Sequence, residues 1–210
     1  MEIKTLVLGD LGTNCYILED SETRVCAVID PADNADAILR ATQKRGVKIE
    51  KIILTHAHFD HMLALPELFE KTGAQVLVGQ YDAPGLSLPM LNLSQSFMGT
   101  FFSFSGQYKT VREGDIITVG ENISLQVLET PGHTPGSLCF LSKNDGCIFT
   151  GDTVFAGSIG RTDFPGGNFE AIMSSLSRVL ALDGALRIYP GHGASSLVCD
   201  ERACNPYFRR

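Results

Sequence analysis

The sequence predicts a layered α/β fold, with two β-sheets packed face to face and helices outside them. Two observations carry this expectation. From Val25 to Val78 the pattern runs strand–helix–strand–helix–strand. From Val111 onward a second series of strands ends in a helix and one more strand, so the second half repeats the logic of the first.

The elements follow in order. Ile3–Leu8 reads as a strand that ends at Gly9-Asp10, and Cys15–Leu18 and Val25–Ile29 read as a hairpin around the polar turn 19–22. Ala35–Arg45 reads as a helix: Asn34 can cap it, Asp36 suits the positive first turn and Gly46 suits its end. Lys51–Leu54 is a short buried strand. Pro66–Thr72 is a second helix with proline in its allowed first turn and Gly73 after it, and Gln75–Val78 is the next strand. From Tyr81 to Lys109 the pattern dissolves into serines, prolines, Met90, Met98 and Phe97, Phe101, Phe102 and Phe104. A stretch this long without regular structure is either a pocket wall or a meander that buries its own phenylalanines.

In the second half, Val111–Val119 and Ile123–Leu128 read as strands around Gly120-Glu121-Asn122. Leu138–Leu141 and Cys147–Phe149 form a hairpin around Lys143-Asn144-Asp145-Gly146. A helix is expected from about Phe169 to Leu182. Asn168 caps it, and Phe169, Ile172, Met173, Leu176, Val179 and Leu180 form its apolar stripe. Leu186–Tyr189 is the last strand. The whole reads as one domain over 1–210, in two pseudo-symmetric halves of roughly 1–110 and 111–210.

Composition narrows the function. The chain has 210 residues, 44% hydrophobic and 20% charged, the profile of a soluble globular protein. Its net charge is −7, and Arg209-Arg210 at the C-terminus reads as a solvated end. No basic block is present, which disfavours a nucleic-acid partner. No apolar run approaches a membrane span, and the N-terminus carries no signal pattern. Six cysteines with no Cys-x-x-Cys pair suit a reduced, cytoplasmic setting.

The chemistry gathers at Thr55-His56-Ala57-His58-Phe59-Asp60-His61. A solvated loop rarely spends three histidines in six residues, so this segment reads as a metal site. His56 and His58, two apart in extended backbone, present their rings on one side. His133, in Pro131-Gly132-His133-Thr134, would complete a three-histidine site with an open position, a catalytic arrangement. Asp60 and His61 point to a second ion that His192, in Pro190-Gly191-His192-Gly193, would complete. A carboxylate bridging the ions is the remaining requirement, and Asp152 in Thr150-Gly151-Asp152-Thr153 is the candidate. Taken alone, His133 and His192 are strand-end turn histidines and Asp152 a turn aspartate.

These four ordered motifs resemble the signature of the metallo-β-lactamase superfamily, over nearly the whole chain. Within it, the stretch from Gly151 to Gly167 resembles short glyoxalase II-like hydrolases. The resemblance implies a four-layer αββα sandwich with the metals at one edge. It implies His56, His58 and His133 on one ion, Asp60, His61 and His192 on another, and Asp152 between them. The ions expected are divalent, zinc first, with iron or manganese also suited. The implied reaction is hydrolysis of a small-molecule thioester such as S-lactoylglutathione by a hydroxide the ions share, with Asp60 orienting it or taking its proton. Long relatives add a helical C-terminal domain that helps hold glutathione. Here 18 residues follow His192, with no counterpart to that domain.

Arg161 has two readings, a contact for a substrate carboxylate or a structural tie to Asp163. Thr55, Thr134 and Asp30 are candidates to fix histidine rings. Tyr189 reads as core or as support for the histidine rings. Competing functions are a mono-iron persulfide dioxygenase, a phosphodiesterase or nuclease of the same superfamily, and a non-catalytic metal-binding protein.

Overall fold

The computed structural model describes residues 1–208; Arg209-Arg210 lie outside the described residues. In the first sheet, strands β1 (Glu2–Leu8), β2 (Thr13–Asp20), β3 (Val25–Ile29), β4 (Lys48–Ile53), β5 (Gln75–Gly79) and β6 (Tyr108–Val111) lie side by side in chain order. The first three are antiparallel and the rest run parallel to β3. The parallel crossovers carry helices α1 (Ala35–Arg45) and α2 (Leu65–Thr72). The second sheet contains β7 (Ile116–Val119), β8 (Ile123–Glu129), β9 (Leu138–Ser142), β10 (Cys147–Gly151), β13 (Arg187–Pro190) and β14 (Ser196–Leu197). A small hairpin of β11 (Val154–Phe155) and β12 (Ser158–Ile159) stands beside it. Helices α4 (Phe169–Leu180) and α5 (Val198–Cys204) complete the second half. The four-layer αββα sandwich expected from the sequence is present.

Three buried clusters explain the layering. Along β2, Cys15 and Ile17 face the helices with Ile38, Leu65 and Leu68. Tyr16 and Leu18, their neighbours in the alternation, face Val119, Leu125, Phe140 and Phe149 of the other sheet. Both faces of β2 are therefore covered, which is why it reads as a continuous apolar run. A third cluster packs Ile172, Leu176, Val179 and Leu180 of α4 onto Leu141, Ile148 and Ile188. Burying a side chain the size of Phe140 or Phe149 contributes about 2–3 kcal/mol.

The caps are as expected. Asn34 Oδ1 accepts from Ala37 N at 3.0 Å, and Asn168 Oδ1 from Ala171 N at 2.9 Å. Three expectations need correction. Val111–Val119 is not one strand: Val111 closes β6 in the first sheet and Ile116 opens β7 in the second. Between them, Asp115 Oδ2 accepts from Arg112 N at 3.0 Å and Gly114 sits at φ 81°, so the chain turns and changes sheets. Helix α4 ends at Leu180, and Phe169 at its start is half exposed, outside the buried stripe. The stretch 81–109 is not wholly irregular: it holds a 3-10 turn at Ala83–Leu86 and the single-turn helix α3 (Ser94–Phe97), and it ends in β6. Both readings of its phenylalanines hold: Phe104 is buried, whereas Phe97 reaches a cavity wall.

Candidate metal centre

The seven candidate ligands come together where strands of both sheets end. β3 and β4 run parallel, so Asp30 and the Thr55–His61 segment leave the first sheet side by side. β8 leads to His133, β10 to Asp152 and β13 to His192. The two edges are joined directly, because Leu138 N donates to Thr55 O at 2.9 Å.

Three groups of ligand atoms form, each within 4.8 Å: His56, His58 and His133; Asp60, His61 and His192; and His56, His61 and Asp152. His58 Nδ1 lies 3.1 Å from His56 Nε2 and 2.9 Å from His133 Nε2. His61 Nε2 lies 3.3 Å from His192 Nε2. Asp60 Oδ2 is 3.5 Å from His61 Nε2 and 3.3 Å from His192 Nε2. Asp152 stands between the first two groups: Oδ1 is 3.4 Å from His61 Nε2, and Oδ2 is 3.5 Å from His133 Nε2 and 3.6 Å from His192 Nε2.

Four of the five rings are fixed from behind. His133 Nδ1 donates to Arg161 O at 2.7 Å, and His192 Nδ1 to Leu11 O at 3.2 Å. A carbonyl oxygen only accepts, so both rings carry their proton on Nδ1 and turn the Nε2 lone pair inward. His61 Nδ1 meets Asp30 Oδ2 at 2.9 Å, with the same consequence. Thr55 spends its hydroxyl proton on Asp30 Oδ2 at 2.7 Å, so its oxygen accepts from His56 Nδ1 at 3.0 Å. Four lone pairs therefore converge on a buried space. Lone pairs at these separations repel unless a cation or a proton lies between them. His58 Nε2 and Asp152 Oδ1 are buried with no hydrogen-bond partner. Donors about 3–3.5 Å apart suit a shared ion with bonds near 2.1 Å. The donor set thus fits divalent metal ions.

The charges agree. Burial, then the neighbouring histidines His61, His58 and His133, hold His56 well below its ordinary pKa. Burial and His133 push His58 down to about 3. Both rings are neutral and ready to ligate. Burial would raise the Asp60 carboxyl, but His61, His192 and a 2.9 Å hydrogen bond from Thr13 Oγ1 outweigh it and hold it well below the usual carboxylate range. For Asp152, too, burial is overcome by His61, His133 and His192.

Of the other candidates, Asp30 and Thr55 do contact ligand rings. Thr134 instead donates to Asp82 Oδ2 at 2.7 Å. Tyr189 stacks on Phe149, 5.2 Å between centroids. Arg161 pairs through Nε and Nη2 with both oxygens of Asp163, at 2.7 and 2.6 Å, and lies 3.9 Å over the Phe164 ring. Its backbone, not its guanidinium, touches a candidate ligand.

Several residues that shape the site have no sequence motif. Asn14 Nδ2 donates to Pro190 O and Gly193 O, both at 2.9 Å, and Tyr16 donates to Pro190 O at 2.6 Å, so β2 holds the His192 loop. Asp82 accepts from Ala57 N at 3.0 Å and Gly136 N at 2.7 Å, tying the His56–His58 segment to the turn after His133. The one available signal was polar Thr13-Asn14 running into an apolar strand; Asp82 in Tyr81-Asp82-Ala83-Pro84 looks like any turn residue.

A cavity of about 400 Å³ opens over the cluster. A larger cleft, about 560 Å³, lies at the far edge beside Phe69 and Tyr108 and is lined by no histidine, cysteine, aspartate or glutamate.

Comparison with known proteins agrees with this geometry. The family model described as "Metallo-beta-lactamase superfamily" matches residues 8–192. Hydroxyacylglutathione hydrolase GloC of Haemophilus influenzae is 29% identical over 209 residues, covering 99% of this chain and 98% of that protein. The solved structure of BLEG-1 B3 metallo-beta-lactamase superposes with a TM-score of 0.94 at 27% identity, covering 100% of both chains. That of TTHA1623 in a di-iron-bound form does so with a TM-score of 0.87 at 32% identity, covering 97% and 99%. The chain belongs to the metallo-beta-lactamase superfamily.

Proposed function

We propose that this protein is a hydrolase of small-molecule thioesters that works with two divalent metal ions. The observation that carries the reading is the position of Asp152, whose two oxygens face histidines of both ligand groups. On this reading His56, His58 and His133 hold one ion, Asp60, His61 and His192 the other, and Asp152 serves both. Ions held there would activate water near neutral pH and polarise the substrate carbonyl.

The chain's own part is positioning and proton handling. Asp60 is ionised, faces the cavity and is oriented by Thr13, so it can accept a hydrogen bond from a water and orient it. Asp30, Thr55 and the Arg161 and Leu11 carbonyls keep the four imidazoles aimed inward. The GloC relative supports a thioester such as S-lactoylglutathione or another acyl-thiol as substrate. Zinc suits the donor set, and the di-iron form of the TTHA1623 relative supports iron as well.

The test is metal analysis of protein from its native host, combined with a thioester panel that includes S-lactoylglutathione. Two ions per chain and thiol release that Asp60→Ala abolishes are expected. One iron per chain with oxygen uptake on glutathione persulfide would overturn the reading. So would bis(p-nitrophenyl) phosphate cleavage faster than that of every thioester.

A further inference from the structure

The cavity over the ligand cluster has a chemical character of its own. Phe59 and Phe97 stack with centroids 6.1 Å apart, and Phe97 meets Phe164 edge-on at 5.6 Å. Phe164 in turn stands edge-on to His58 at 5.9 Å. The three rings form a continuous wall that ends on a candidate ligand. Phe155, also in the lining, stands edge-on to His192 at 6.0 Å. Phe97 is 56% exposed, in a helix of one turn, so its ring is offered to whatever enters. A core phenylalanine would not be placed so.

Apart from the candidate ligands, the polar residues of the lining are Ser158 and Arg161. Among the described residues lining the cavity, Arg161 is the one lysine or arginine. Its Nε and Nη2 are engaged by Asp163, and its face lies on Phe164. Leu93, buried at φ 66°, adds a further apolar side chain to the same lining.

We propose that the substrate carries an aromatic or branched apolar group directly beside the thioester, seated against Phe59, Phe97 and Phe164. This rests on the thioester-hydrolase reading above and deepens it. Phe97 is then the residue that sets specificity. It is the most exposed of the three rings, and it comes from the 81–109 stretch rather than from the sheet scaffold.

The test compares, on the metal-loaded protein, phenylacetyl and acetyl thioesters of N-acetylcysteamine, with S-benzyl thioacetate as a third arm. The first and third carry the ring on the acyl and on the thiol side. In at least one of those arms kcat/KM should exceed that of the acetyl thioester about tenfold or more, as burial of a ring predicts. Phe97→Ala should remove most of the preference, and Phe97→Leu should restore part of it. Binding of benzyl methyl sulfide to the metal-free protein, read by saturation-transfer NMR, should weaken in Phe97→Ala and in Phe164→Ala.

A preference below about twofold in both arms would overturn the inference, since a buried ring is worth far more. So would a preference that neither alanine variant changes. If no thioester is turned over but the sulfide binding depends on Phe97, the hydrolase reading fails and the apolar pocket stands.

Discussion

His61 Nδ1 lies 2.9 Å from Asp30 Oδ2, the same oxygen that accepts the Thr55 hydroxyl at 2.7 Å. One buried carboxylate therefore orients a ring of each ligand group: His61 directly and His56 through Thr55. Asp30 does this from left-handed backbone, φ 51°, a conformation that costs a non-glycine residue and clusters at functional sites. Asp30→Ala should weaken metal retention by about 10–100-fold, the usual cost of removing such a support. Metal-to-protein ratios after dialysis against graded chelator check this; unchanged ratios would sink it.

Gly191 is a matter of space. A Cβ there would lie 2.2 Å from Asp152 Oδ1 and 2.8 Å from His61 Cε1. Gly191→Ala should push the carboxylate and the ring apart and weaken metal binding at least tenfold. Calorimetric titration of the metal-free variant with zinc measures this.

Asp82 joins Ala57 N, Thr134 Oγ1 and Gly136 N in a buried site. Asp82→Asn replaces one accepting oxygen by a donor facing other donors. The expected loss is about 1–3 kcal/mol, the cost of stranding a buried polar group. A Tm within error of the parent protein's would contradict it.

Asp20 carries the acid sensitivity that links the two halves. Its oxygens accept from Glu121 N at 3.0 Å, from Asn122 N and from the Asn122 side chain. Burial opposes ionisation, but the bonds from Asn122, Thr23 and Glu121 overcome it and hold the carboxyl well below its ordinary range. A lowered folded pKa gives stability that is present above the unfolded value, near 4, and is lost as pH falls toward the folded value. Asp20→Asn should therefore be less stable at pH 7 and lose less stability between pH ~4 and pH ~2. Urea midpoints across that range give the comparison.

Cys15, Cys26, Cys139 and Cys147 are buried, whereas Cys199 and Cys204 are exposed. Burial pushes the Cys26 and Cys147 thiols up to about 12 and Cys139 to about 11. Thiol titration of the native protein with Ellman's reagent should label the two exposed cysteines quickly and the other four only on unfolding. Fast labelling of a third would contradict the fold around it.

The sequence by itself determined the parts governed by local chemistry. Asn34 and Asn168 cap helices because their oxygens reach amides three residues on, and Gly46 ends α1 because it adopts φ 66°. The histidine-rich segment was legible because so many ligands in one short loop have few other uses. Apolar runs marked most strands, yet Val111–Val119 read as one, since periodicity does not record a change of sheet.

What only the tertiary structure decided is what meets across the sandwich. Asp152 faces both histidine groups because β10 and β13 end beside β3 and β4, which brings it to His61, 91 residues earlier in the chain, as well as to His133. Thr13, Asn14 and Asp82 matter for the same reason: their partners are 25 to 179 residues away in sequence. The wall of Phe59, Phe97 and Phe164 is likewise built from three separate segments. Local propensity acts over a few residues, whereas hydrogen bonds and packing act over a few ångströms, and only the fold converts one distance into the other.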